Sequence, residues 1–321
     1  MPFQIWYNFI DTLRIHHFMK IINLLHNPTA GSEDHDREEL ISLMEKNGFE
    51  CQYWSTKKDW KDIDEKADFI VAAGGDGTVR KITKQLLDRK LSEKTWPIAL
   101  LPLGTANNIA QTLNIEGNAE EIIQSWHHTH IKEFDVGRIR NLPKIEFFLE
   151  SLGYGIFPYL IKKMKKIEKK SSQNPEEELK TALETLYEII FSYEPKECHL
   201  KIDGEDHSGK FLMTEIMNTK LIGPNLFLSP HGDPGDGEFE VILIPEKDKE
   251  KLATYISDKL KGVESPYTFQ QFKAKEIAIR WEGTHMHVDD EMIKIETNVE
   301  IEIELRKGLL EFMVPDKEGV I

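Results

Sequence analysis

Apolar and polar positions along the chain follow two regimes that change near residue 140. Up to that point short apolar runs, at residues 21–25, 69–73 and 97–100, alternate with stretches of helical period. In residues 33–47 Leu40, Leu43 and Met44 share one face and Gly48 ends the pattern, a weaker strand pattern fills 50–54, and residues 79–87 read as a second helix. This alternation predicts an α/β N-terminal domain, a parallel sheet with flanking helices, over residues 19–140. After Pro143 a period of two predominates. It is clearest at 299–305, where Val299, Ile301, Ile303 and Leu305 alternate with glutamates, so one face is buried and the other wet. Further strands are expected at 198–203, 239–244 and 276–281, with helical segments between Pro158 and Tyr193. Residues 141–321 are therefore expected to form a mainly antiparallel β domain.

Length fits two such domains, since 321 residues exceed what one core usually organises. Hydrophobic residues at 40% and charged residues at 30% describe a soluble globular chain, and no apolar run approaches the ~18 residues of a membrane span. Cys51 and Cys198 offer neither a disulfide framework nor a zinc motif, so a cytoplasmic location is expected. Residues 1–18 lack the features of a secretory signal. They read as an extension before a natural start at Met19, or as an interfacial anchor in which Ile5, Phe9 and Leu13 share a helical face beside Trp6 and Ile10.

The candidate chemistry lies in the turns after the strands. Gly74, Gly75, Asp76, Gly77 and Thr78 follow an apolar run and precede a helix, so backbone N–H groups and the helix N-terminus can converge on phosphate. Asp76 would repel polyphosphate without an intervening divalent cation, so nucleotide plus Mg²⁺ is implied. A bare tight turn is the alternative. Two more loops change the balance: Asn27, Pro28, Thr29, Ala30 and Gly31, and the stretch holding Gly104, Thr105, Asn107 and Asn108. At the carboxyl end of one parallel sheet all three would face a single crevice.

In order and spacing these loops resemble the diacylglycerol kinase catalytic domain superfamily, which includes bacterial soluble lipid kinases and sphingosine kinases. The likeness continues through residues 134–137 and 151–155, Asn218 with Gly223, residues 229–237 and the run Asp289, Asp290, Glu291, covering about residues 19–315. The resemblance implies a second domain of β-sandwich type whose last residues return to the first domain. It also implies an ATP- and Mg²⁺-dependent kinase that phosphorylates a lipid hydroxyl in the cleft between the domains. Carried over residue by residue, Asn27, Pro28, Thr29, Gly31, Gly74, Gly75, Gly77, Thr78, Gly104, Thr105 and Asn107 would bind nucleotide. Asp76 would hold metal, Asp236 would support the active-site network, Asp233 would help hold a second, structural metal, and Glu291 would be the general base.

Several positions depart from the family pattern. Lys81 stands where an acid is common, Asn108 where Asp is common, and Asp290 replaces the glycine before the base. Loss of a glycine that needs positive φ would threaten the placement of Glu291, although Asp tolerates that region better than most residues. A soluble-metabolite kinase of the NAD kinase type and a noncatalytic nucleotide or lipid binder are the alternative readings.

A lipid partner requires contact with a membrane surface. The net charge of −15 confines electrostatic attraction to local patches, of which residues 160–170 are one. There Leu160, Met164 and Ile167 form a stripe among lysines, either as a membrane-resting amphipathic helix or as a helix packed on its own domain. His285 and His287 form a minor metal option, and His127, His128 and His130 read as surface residues. Nucleic acid is not an expected partner at pI ≈ 5.3, and strand edges would suit a homodimer.

Overall fold

The computed structural model describes residues 19–31, 36–58, 60, 63–88, 95–168, 174–263 and 267–316. The extension and anchor readings of residues 1–18 lie outside them. The first part of the chain folds as β1 (Lys20–His26), α1 (Arg37–Lys46), β2 (Phe49–Ser55), β3 (Phe69–Gly74), α2 (Asp76–Leu87), β4 (Ile98–Pro102), α3 (Asn108–Thr112) and α4 (Ala119–Ser125). Its strands pair in parallel in the order β4-β3-β1-β2. Because helices cover the sheet, β3 is buried along its whole length, which accounts for its unbroken apolar run. Helix starts follow local chemistry: Asp36 accepts from the N–H groups of Glu38 and Glu39 to cap α1, and Asn118 with Glu121 forms a capping box on α4.

The rest comprises β5 (Thr129–Arg140), β6 (Phe147–Phe148), β7 (Ser151–Gly155), α5 (Ile156–Glu168), α6 (Pro175–Ser192), β8 (Lys196–Ile202), β9 (Glu205–Asp206), β10 (Gly209–Met217), β11 (Leu221–Ile222), β12 (Leu226–Phe227), β13 (Phe239–Pro245), α7 (Lys249–Leu260), β14 (Gln270–Ala274), β15 (Glu276–Trp281), β16 (His285–Val288), β17 (Glu291–Lys294) and β18 (Glu300–Pro315). Its strand pairs are antiparallel. Alternation predicts burial well here: Cys198, Leu200 and Ile202 of β8 turn inward while Glu197, His199 and Lys201 face solvent. The strand expected at 299–305 is only the first half of β18. After a register shift between Arg306 and Leu310, where Gly308 has φ 57°, β18 continues along β5 and lies beside β4 in parallel, with Phe312 opposite Ile98.

Three clusters of buried side chains result: one around the parallel sheet, one between α5, α6, α7 and the strands beneath them, and one inside the antiparallel strands. The second decides between the two readings of residues 160–170. Leu160 and Met164 are buried in it and Ile167 packs against it, so the apolar stripe of α5 is committed to the core. The exposed face carries Lys162, Lys163, Lys165 and Lys166 together with Tyr159. Among the described residues no helix is long and apolar enough to cross a membrane.

Candidate functional site

The three glycine-bearing loops do meet, and they interlock. Gly31, at φ 68°, lies so close to the third loop that a Cβ would stand 2.6 Å from the Leu103 carbonyl oxygen. A Cβ on Gly104 would lie 2.4 Å from Gly75 Cα, so the second and third loops pack backbone to backbone. Side-chain amides complete the lock. Asn27 donates to Thr78 Oγ1 at 3.2 Å and accepts from Thr29, while Asn107, left-handed at φ 51°, accepts from Gly104 N and donates to Gly104 O. Pro28 sits in the turn between Asn27 and Thr29. Thr105 faces the second part of the chain, donating to Glu178 of α6 at 2.8 Å. Between the loops lies a pocket of about 230 Å³ lined by Asn27, Gly31, Gly75, Gly77, Thr78 and Gly104, together with Thr56, Lys57 and Lys81.

Asp76 opens α2 beside this pocket. Its two carboxylate oxygens accept from Asn108 N at 2.8 Å and Ile109 N at 3.0 Å, which ties the second loop to the start of α3. Burial pushes its pKa up to about 6; the two N–H groups oppose the shift and the charges of Asp290 and Asp289 add to it. The sequence gives no hint of Glu150, which joins them. It is 6% exposed, accepts from Asn108 Nδ2 at 3.0 Å, and is held well above the usual carboxylate range by burial and by Asp76 and Asp289. The asparagine at 108 is thus the amide partner of a carboxylate supplied from elsewhere in the chain; an aspartate there would put two carboxylates together.

The run Asp289, Asp290, Glu291 forms the turn between β16 and β17. Only Asp289 has positive φ, 52°, so the left-handed position is one residue earlier than expected and the missing glycine at 290 distorts nothing. Asp289 accepts from the N–H groups of Leu149, Glu150 and Ser151 and pairs with Arg80, one turn into α2. Arg80 in turn lies over the Phe147 ring at 5.2 Å. Behind the turn, His287 Nδ1 donates to the Asp289 carbonyl at 2.9 Å and Nε2 meets Glu215 at 2.8 Å, both side chains being fully buried. Burial alone would lower the imidazole's pKa; Glu215 and the Asp289 carbonyl push it up instead. With both ring nitrogens occupied, His287 is a structural pair to Glu215 and not a metal ligand. His285 contacts Thr284.

Two expected residues are not brought to this crevice. Asp233 is paired with Lys132 at 2.6 Å, and Asp236 with Lys273 at 3.0 Å, the same lysine that holds Glu238 at 2.7 Å. Among the described residues no hydrogen bond or ion pair links either to Asp76. Lysine ammonium groups stand where the second, structural metal implied by the resemblance would need free carboxylate oxygens, so the residues present do not fit that metal. Mg²⁺ at the pocket is a different matter. No three His, Cys, Asp or Glu side chains converge as cation ligands among the described residues, so there is no all-protein cage. Mg²⁺ instead favours one or two carboxylates plus phosphates and water. Asp76 fits, and so does Asp290, whose Oδ2 would be 3.2 Å from a Cβ on Gly77. Glu291 opens β17 exposed, with no hydrogen-bond partner among the described residues.

Comparison with known proteins agrees with this architecture. Residues 22–139 match the diacylglycerol kinase catalytic domain, and residues 165–311 match the YegS C-terminal NAD kinase beta sandwich-like domain. A diacylglycerol kinase of Bacillus subtilis (strain 168) is 24% identical over 258 residues, 74% of this chain and 77% of that protein. A solved structure from Bacillus anthracis str. Sterne superposes with a TM-score of 0.69 at 22% identity, covering 95% of this chain and 98% of that one. Another from the same source, a diacylglycerol kinase, gives 0.65 at 20% identity over 95% and 99%. The superpositions establish the shared fold, and the two domain matches in tandem, spanning most of the sequence, make this chain a member of the diacylglycerol kinase catalytic domain superfamily, a lipid kinase-like phosphotransferase.

Proposed function

We propose that the protein transfers the γ-phosphoryl group of ATP, with Mg²⁺, to a hydroxyl of a membrane lipid of diacylglycerol or sphingoid type. The observation that carries this reading is the interlocking of three loops around one pocket with Asp76 at its edge. Backbone N–H groups at the start of α2 receive phosphate oxygens, and Asn27 and Asn107 hold the loops in that shape. Asp76 and Asp290 would hold Mg²⁺, which when bound neutralises charge on the transferring phosphoryl group. Glu291, with its oxygens uncommitted, takes the acceptor's proton.

The assay that tests this is transfer of labelled γ-phosphate from ATP and Mg²⁺ to a total lipid extract, with NAD as a parallel acceptor. A labelled lipid supports the reading; labelled NADP, or no transfer at all, would replace it. Glu291→Gln is expected to lower kcat about 100-fold with the KM for ATP unchanged. Full activity in that variant would hand the proton to Asp290.

Access to the bilayer is assigned to the outer faces of α5 and α6. Tyr159, Tyr187 and Phe191 are exposed there beside the four lysines of α5, a mixture of aromatic and cationic groups suited to an anionic interface. The contact between Thr105 and Glu178 sets these helices next to the pocket. Changing Lys162, Lys163, Lys165 and Lys166 to Glu should abolish co-sedimentation with phosphatidylserine vesicles while the melting temperature holds. Unchanged sedimentation would remove this surface from the proposal.

A further inference from the structure

The pocket between the loops carries a cation that the family pattern does not supply. Lys81 extends from the second turn of α2, its Nζ donates to the Thr56 carbonyl, and it lines the same pocket as Gly75, Gly77 and Thr78. Lys57, next to Thr56, lines the pocket as well. Asp76, Asp290 and Glu150 gather near the start of α2, and the cation among them, Arg80, is committed to Asp289. An ammonium has three donors. Thr56 takes one and fixes the direction of the side chain, which leaves two for a ligand in the pocket.

We infer that Lys81 is a ligand for the terminal phosphates of the nucleotide, with Lys57 as its neighbour on the rim, and that this pair lets the chain hold a nucleoside triphosphate even without a divalent cation. The inference rests on the proposed nucleotide donor and adds which residue grips it. Charge explains why the exchange from acid to lysine at 81 need not signal a dead site. An acid there would repel the triphosphate and leave the whole of its neutralisation to metal; lysine reverses the sign within the pocket itself. Attraction through an ammonium also depends on phosphate number, so the grip separates a triphosphate from a monophosphate sharing the same base and ribose.

The test is titration of the full chain with ATP, and separately with AMP, in EDTA, read as displacement of a fluorescent ATP analogue. Lys81→Ala is expected to weaken ATP about tenfold and Lys81→Glu by about 100-fold, with AMP unchanged, since a hydrogen bond to a charged group contributes about that much. Lys84→Ala, one turn further along an exposed face of α2, is expected to bind as the parent does. Thermal melting of each variant separates lost binding from lost folding. Parent-like ATP affinity in both Lys81 variants would overturn the assignment and leave the kinase reading intact. Failure of the parent chain to bind ATP with or without Mg²⁺ would overturn both. Equal loss for ATP and AMP would also overturn it, because it would place Lys81 against the nucleoside.

Discussion

Replacing Asp289 by alanine is expected to reduce folding stability by about 3–5 kcal/mol, measured by urea denaturation followed through tryptophan fluorescence. The carboxylate is nearly inaccessible and is the shared acceptor for Arg80 and for the consecutive N–H groups of Leu149, Glu150 and Ser151. Truncation strands a half-buried guanidinium and those amides together, and places alanine at φ 52°, a conformation Asp tolerates better. Asp289→Asn separates the contributions. It keeps an acceptor for the amides and the left-handed turn while losing the charge, so about half the loss is expected. A loss below about 1 kcal/mol for alanine would mean that water replaces the carboxylate and that the turn is not the clasp it resembles.

Asp76→Asn is expected to reduce kcat/KM for lipid phosphorylation by about a thousandfold, with a melting temperature within a few degrees of the parent. Two changes of opposite sign explain the small stability effect. One amide group can accept from only one of the N–H groups of Asn108 and Ile109 and turns a donor on the other; against that, a charge is removed from beside Asp289, Asp290 and Glu150. The parent's pH profile carries the same information. Asp76 in the free protein is protonated below about 6 and ionised above it, so kcat/KM should fall as pH drops through about 6. Its raised pKa also means that ionisation opposes folding, so the stability Asp76 confers relative to neutral pH is complete below the ordinary value of 3.8 and is lost as pH rises through about 6. Substantial transfer by the Asn variant would move the metal role to Asp290 alone.

Strands and glycine loops were legible in the sequence because their signals are local. The apolar run of β3, the alternation of β8 and of early β18, and the small residues after β1, β3 and β4 each act within a few positions of their cause. The polar network was not legible, because its members are distant in sequence. Arg80 and Asp289 are 209 residues apart, Asn108 and Glu150 are 42 apart, and no periodicity reports either pair. Taken one position at a time, Asn108 and Lys81 register only as departures from the family pattern. The partners that make sense of them, Glu150 and the Thr56 carbonyl, are visible only in three dimensions. Asp236, carried over from the family likeness, pairs with Lys273, 37 residues away, a contact that no local pattern reports. The stripe on α5 was ambiguous for a general reason, since a helix facing a bilayer and a helix facing its own core carry the same period.

The pairing of Phe312 with Ile98 has a consequence for how the protein is made. A ribosome delivers β1 to β4 before the strand that covers the flank of β4, which follows every other described strand in sequence. Until then the nascent parallel sheet carries an open, apolar edge at Ile98, Ala99, Leu100 and Leu101, a site for mispairing. Closure of that edge waits for β18, which also pairs with β15 in the antiparallel part, so the two parts of the fold are completed together.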